Sequence, residues 1–164
     1  MRPILVIAIV LRLASPSLGF AERPRPNYTT LVVQFVGESD RPIFPIVIST
    51  SQEEGEWYRQ HLFQKPILAF VNVDIVPVST LHEITELPLL KRGLKGAKPA
   101  VEEPKTTPTV QFIAGAGHDY GQIMLDAQTS VKILEDIAKC VAKYPTLKSE
   151  IQEVENRINQ NVKK

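Results

Sequence analysis

"KTTPTVQFI", Lys105 to Ile113, places a proline between two threonines at the entrance to an apolar run. Proline has no amide hydrogen to give a sheet. Inside a strand it is disruptive, but ahead of the first strand residue nothing is lost. The following stretch, "TVQFIAGAGHDYGQIML" (109–125), holds two apolar runs around a glycine-rich turn. That pattern predicts a β-hairpin.

Downstream, Asp126 is placed to cap a helix in which Val131, Leu134, Ile137, Ala138 and Val141 form one stripe, ending at Pro145. Beyond it, Leu147, Ile151, Val154 and Ile158 are spaced four, three and four apart, with Val162 last. This coiled-coil rhythm covers barely two heptads. Its stripe suits either a partner, including a second copy through residues 146–162, or the body of the domain itself.

Upstream, "TTLVVQFVG" carries Leu31, Val32, Val33, Phe35 and Val36. A nearly continuous β-branched run predicts a strand covered on both faces. Residues 43–48 suit a strand or a helical turn kinked at Pro45. A helix follows, capped by Ser49, Thr50 or Ser51. Glu53 and Glu54 lie in its first turn, where the helix dipole favours acids, and Trp57, Tyr58, His61 and Leu62 share one face. A buried strand is expected over Ile67–Val73. A short helix capped by Ser79 and stopped by Pro88 comes next, and then an exposed loop over 91–108.

The chain opens "MRPILVIAIVLRLASPSLGFA": a basic start, an apolar run from Ile4 to Leu11, and small residues at Gly19 and Ala21. This is the layout of a secretory signal with cleavage after Ala21, and it predicts a secreted or periplasmic protein. The run is too short to span a bilayer, which takes ~20 residues, so no stable membrane insertion is expected after cleavage. Removing 21 of 164 residues leaves 143, one domain's worth, and takes Arg2 and Arg12 with it. The remaining 17 basic and 18 acidic residues are too evenly balanced for a nucleic-acid surface. Cys140, the only cysteine, has no partner for an internal disulfide and is expected to be buried in its helix.

The order strand, helix, strand, helix, proline-led strand, hairpin partner and helix resembles the thioredoxin fold. "TPTVQF" is similar to that family's stretch in which a cis-proline precedes a core strand, "FVNVDI" looks like its second core strand, and 127–144 like its last helix. The resemblance implies an α/β fold, a central mixed sheet flanked by helices, with an extra C-terminal helix. Residues 1–21 are then a signal, 22–28 an extended leader, 29–144 the thioredoxin-like domain with the 91–108 insertion, and 145–164 an amphipathic helix. The family's redox turn follows its first strand. Here that position reads Asp40-Arg41-Pro42-Ile43, without either sulfur. Disulfide exchange needs a thiolate nucleophile, so the resemblance implies a redox-silent member.

It further implies binding of an extended peptide or protein segment beside Thr107-Pro108 and the Asp40-Arg41-Pro42 turn, with no cofactor and no catalytic residue. Two other classes stay open: an enzyme using a polar pocket around Asp40 and Arg41, and an assembly protein working through the C-terminal helix. His61, His82 and His118 show no ligand spacing, so no metal is expected. "GAGHDYG" leads into a strand instead of a helix, unlike a dinucleotide turn. No Gly-x-Ser-x-Gly elbow occurs.

Overall fold

The computed structural model describes residues 27–36, 42–63, 67–94 and 109–162. The expected signal, the expected leader up to residue 26, Asp40, Arg41, and residues 95–108 with Thr107 and Pro108 lie outside the described residues.

Five strands form one mixed sheet: β1 (Thr30–Val36), β2 (Pro42–Ser49), β3 (Val73–Ile75), β4 (Thr109–Ala116) and β5 (Asp119–Asp126), in the order β3-β2-β1-β4-β5. Five α-helices flank it: α1 (Gln52–Leu62), α2 (Val78–Thr85), α3 (Pro88–Leu94), α4 (Ala127–Cys140) and α5 (Pro145–Val162). β1 is central and antiparallel to both neighbours, so each of its faces meets protein. Leu31, Val33 and Phe35 point into the larger core, with residues of α2, α4 and α5, while Val32 points to a smaller core under α1. This is why its apolar run is continuous and not alternating.

Residues 43–48 are strand. Pro45 sits where β2 bulges against β1, between the pairs Val33↔Ile46 and Phe35↔Ile43. β3 pairs with β2 only over Val47–Ser49, so the first half of β2 is an outer strand and tolerates the missing donor.

The expected strand over Ile67–Val73 is corrected. Ile67–Phe70 form a 3-10 turn, and the strand is the short Val73–Ile75. The Arg59 guanidinium donates to the carbonyls of Leu68 (3.4 Å) and Val71 (3.2 Å), satisfying backbone that a sheet would otherwise pair. Phe70 is 82% exposed, which no strand buried on both faces would allow. α2 begins after Pro77 instead of at Ser79, and Pro88 opens α3 instead of only ending α2. Proline suits a first helical position because that amide has no intrahelical acceptor. The expected loop over 91–108 therefore starts later, since Lys91–Leu94 belong to α3.

α4 is capped by Asp126, whose carboxylate accepts from Thr129 N at 2.9 Å. The α5 stripe folds back. Leu147, Ile151, Val154 and Ile158 join the larger core with exposures of 0–2%. The stripe that suited a second copy is spent inside the domain. Among the described residues, no helix is long and apolar enough to cross a membrane.

Candidate functional site

β2, α1 and β3 form the sheet's parallel crossover, and β2 leaves the sheet at Ser49. In α/β sheets the carboxyl ends of such strands, beside a change of direction in strand order, are where crevices open. Here β3 lies to one side of β2 and β1, β4 and β5 to the other.

The turn out of β2 is pinned from β1. Thr50 N donates to the Thr29 carbonyl at 2.8 Å, and the hydroxyls of Thr30 and Ser49 are 2.9 Å apart. Ser51 caps α1 by accepting from Glu54 N. Gly55 lets the helix close on the sheet, since a β-carbon there would overlap Val73 Cγ1 and lie 3.0 Å from Ser49 Cβ. Glu54 accepts a hydrogen bond from the Thr29 hydroxyl.

Across from α1 stands the β4–β5 turn, Gly117-His118, with Gly117 at φ +58°, a conformation glycine adopts without penalty. Tyr58 joins the two sides. Its ring is 2% exposed and its hydroxyl donates to the Gly117 carbonyl at 3.0 Å. The phenol lies against Gly115, where a β-carbon would come within 2.7 Å of Tyr58 Cζ. Burial, then the charges of Glu54 and Asp119, push the Tyr58 hydroxyl up to about 12. Trp57 stacks on His61 (4.0 Å between centroids, 22°) and meets Tyr58 and His118 edge-on, each at 5.0 Å. Between these groups opens a cavity of about 290 Å³ lined by Ser51, Glu53, Glu54, Trp57, Tyr58, Gly117 and His118.

A second polar cluster brings Asn72 and Asp74, at the start of β3, to Glu150 of α5. Burial raises the Asp74 carboxyl, and burial followed by the charge of Asp74 raises Glu150. Asn72 donates to Glu150 at 3.4 Å, while Asp74 Oδ2 is buried without a partner among the described residues. Burial disfavours the charged form of both carboxyls, and the charge of Asp74 adds to this at Glu150.

Of the five residues assigned to a contact surface, Asp40, Arg41, Pro42, Thr107 and Pro108, only Pro42 is described. It opens β2 and not a helix, so the strand-to-helix turn comes at Ser49–Gln52 instead of at 40–43. Pro42 and Thr109 both pair with Val36, which puts the chain ends adjoining Arg41 and Pro108 at one end of the sheet. They are two strand spacings apart, about 10 Å. The Trp57 cavity is at the opposite end. His61 and His118 converge there on Trp57, and His82 lies on α2. Among the described residues, no three His, Cys, Asp or Glu side chains are grouped to hold a metal.

The sequence assigns Glu53 and Glu54 to helix-start charge, which holds, and a hairpin turn to Gly115, Gly117 and Asp119; the hairpin is present, but its turn is only Gly117-His118, with Gly115 in β4 and Asp119 in β5. Their convergence around Trp57 is not visible in the sequence. The one available signal was the chain's only tryptophan one turn after a paired acid. Comparison of the chain with known protein families, with curated proteins and with solved structures finds no match.

Proposed function

We propose that this is an exported, thioredoxin-like protein that works by binding an extended peptide or protein segment. The thioredoxin-like part of the reading draws on the mixed sheet, its β2-α1-β3 crossover and the closing hairpin and helix. β1, which precedes that crossover and lies between β2 and β4, is an addition that the resemblance does not account for. The observation that carries the binding reading is the Trp57 cavity at the carboxyl end of β2, walled by a helix start and a hairpin turn. Such a concave site with an aromatic wall and a few convergent polar groups is how proteins hold ligands.

Selection from a random peptide library with the mature chain tests it. Enriched peptides are expected to lose binding to Trp57→Ala. Absence of enrichment, or enrichment indifferent to Trp57→Ala, refutes the reading.

A second contact surface at the other sheet end rests on the shared pairing of Pro42 and Thr109 with Val36, which supports grouping Asp40, Arg41 and Pro42 with Thr107 and Pro108. Asp40→Ala/Arg41→Ala in the same selection separates the two ends. Export itself is tested by N-terminal sequencing of the secreted chain, expected to begin at Glu22.

A further inference from the structure

We propose that the cavity between the start of α1 and the β4–β5 turn binds an organic cation, an ammonium or guanidinium group, between the Trp57 ring and the Glu53 and Glu54 carboxylates. This rests on the binding role proposed above and names the chemistry that the site selects.

The charge inventory decides the sign. The lining contains two carboxylates and no Lys or Arg. The start of α1 supplies roughly half a positive charge, which two full negative charges outweigh. The Tyr58 hydroxyl, on the cavity wall, feels Glu54 and also Asp119, so the negative field reaches the hairpin side. Neither glutamate is held by a described salt bridge. Glu54 accepts from the Thr29 hydroxyl, and Glu53 is exposed. Both keep acceptor capacity for a ligand donor.

The aromatic wall decides the type of cation. Trp57 has the strongest quadrupole of the aromatic side chains, and a weakly hydrated organic cation gains from that ring where a small metal ion would remain hydrated. The lining offers two carboxylates, one imidazole and the Ser51 side chain, which caps α1, beside aromatic and backbone surface, a poor cage for a hard metal. Size decides the reach. At about 290 Å³ the cavity lies at the bottom of the range for small-ligand sites, ~300–1,000 Å³, and suits one cationic group with its methylene stem. Rigidity favours selectivity. Trp57 is stacked by His61 and meets Tyr58 and His118 in T-shaped contacts, and Tyr58 is anchored to Gly117. The ring does not have to be ordered at the moment of binding, so little affinity is lost to ordering.

Trp57 is the only tryptophan of the chain, so intrinsic fluorescence reports directly on this cavity. The full chain is titrated with Nα-acetyl-lysine amide, Nα-acetyl-arginine amide and tetramethylammonium. Nα-acetyl-norleucine amide and Nα-acetyl-glutamate amide serve as neutral and anionic controls. Saturable fluorescence changes are expected with the cations, at least about tenfold tighter than with norleucine amide. Glu53→Gln/Glu54→Gln is expected to bring the cations down to the neutral analogue, and Glu53→Gln alone, at an exposed position, to weaken them with only the small loss of thermal stability that removing a first-turn acid brings. Equal binding of cation and norleucine amide, unchanged binding by both variants, or no saturable change overturns the proposal.

Free amines and cationic side chains are separated by peptides enriched in the library selection. Loss of their binding on Lys or Arg to Ala replacement assigns the cation to a polypeptide, whereas saturation by free amines with no such loss assigns it to a small molecule. Should enriched peptides need Trp57 yet carry no cation, the charge assignment fails while the binding role survives.

Discussion

Replacing Gly115 by alanine strikes the joint on which the cavity depends. The new methyl overlaps the Tyr58 hydroxyl, approaches Tyr58 Cζ within 2.7 Å and comes within 2.9 Å of the Asp119 carbonyl. The ring cannot retreat easily, because it is buried between α1 and the sheet. Overpacking of this kind costs about 1–3 kcal/mol. Displacing the hydroxyl from the Gly117 carbonyl costs about 1 kcal/mol more. Against this, alanine restricts the unfolded chain and returns about 0.4–1 kcal/mol. The net expectation is a loss of about 1 to 3.5 kcal/mol, or about 3–14 °C in Tm for a domain of this size.

The assay is thermal unfolding combined with ultraviolet titration of phenol ionisation. Wild-type protein is expected to keep Tyr58 un-ionised until about pH 12, while Tyr28, also raised by burial, is identified by Tyr28→Phe, and Gly115→Ala is expected to lower the Tyr58 midpoint towards the ordinary value of 10. Tyr58→Phe in the Gly115→Ala background should recover part of the loss, because the most crowded atom is gone. A Gly115→Ala protein as stable as wild type, with its late phenol intact, refutes the packing of Tyr58 on Gly115 and the cavity geometry with it.

Ile151→Ala is expected to cost about 2–5 kcal/mol in denaturant unfolding, because Ile151 is fully buried, while the elution volume in size exclusion stays unchanged. A change of oligomeric state at unaltered stability would show that α5 serves a second copy instead. For Asp74 and Glu150 the folded state favours the neutral carboxyls, so their contribution to stability is present at low pH and lost as pH rises through their raised values. Asp74→Asn should therefore raise Tm at neutral pH and have little effect under acid conditions, and equal effects at both would contradict this. Cys140 is half-buried, and burial together with Glu83 raises its thiol, so iodoacetamide at neutral pH should modify the folded chain slowly compared with the unfolded chain. Labelling at the same rate in both states would show that the thiol is exposed and ionised.

The central strand, the hairpin, the Asp126 cap and the helices α1, α4 and α5 are legible along the chain, because periodicity, capping residues and turn glycines act over a few neighbours, while the α1 cap is narrowed only to Ser49, Thr50 or Ser51. Ile67–Phe70 misled for a related reason: a short apolar run has the same composition in a covered strand and in a turn at a sheet edge. Only the reach of Arg59 to the Leu68 and Val71 carbonyls distinguishes them. Residues 43–48 were undecided until the bulge at Pro45 and the limited overlap with β3 allowed proline into a strand.

The sequence by itself determined which segments are apolar, where helices start, and that no dithiol follows the first strand. Tertiary structure decided that the α5 stripe turns inward, and that Glu53, Glu54 and Trp57 meet a glycine turn some sixty residues away. Local pattern records the energy of one segment against water. The site arises from the pairing of β1 with β4, which carries Gly115 to Thr30, and no single segment encodes that non-local register.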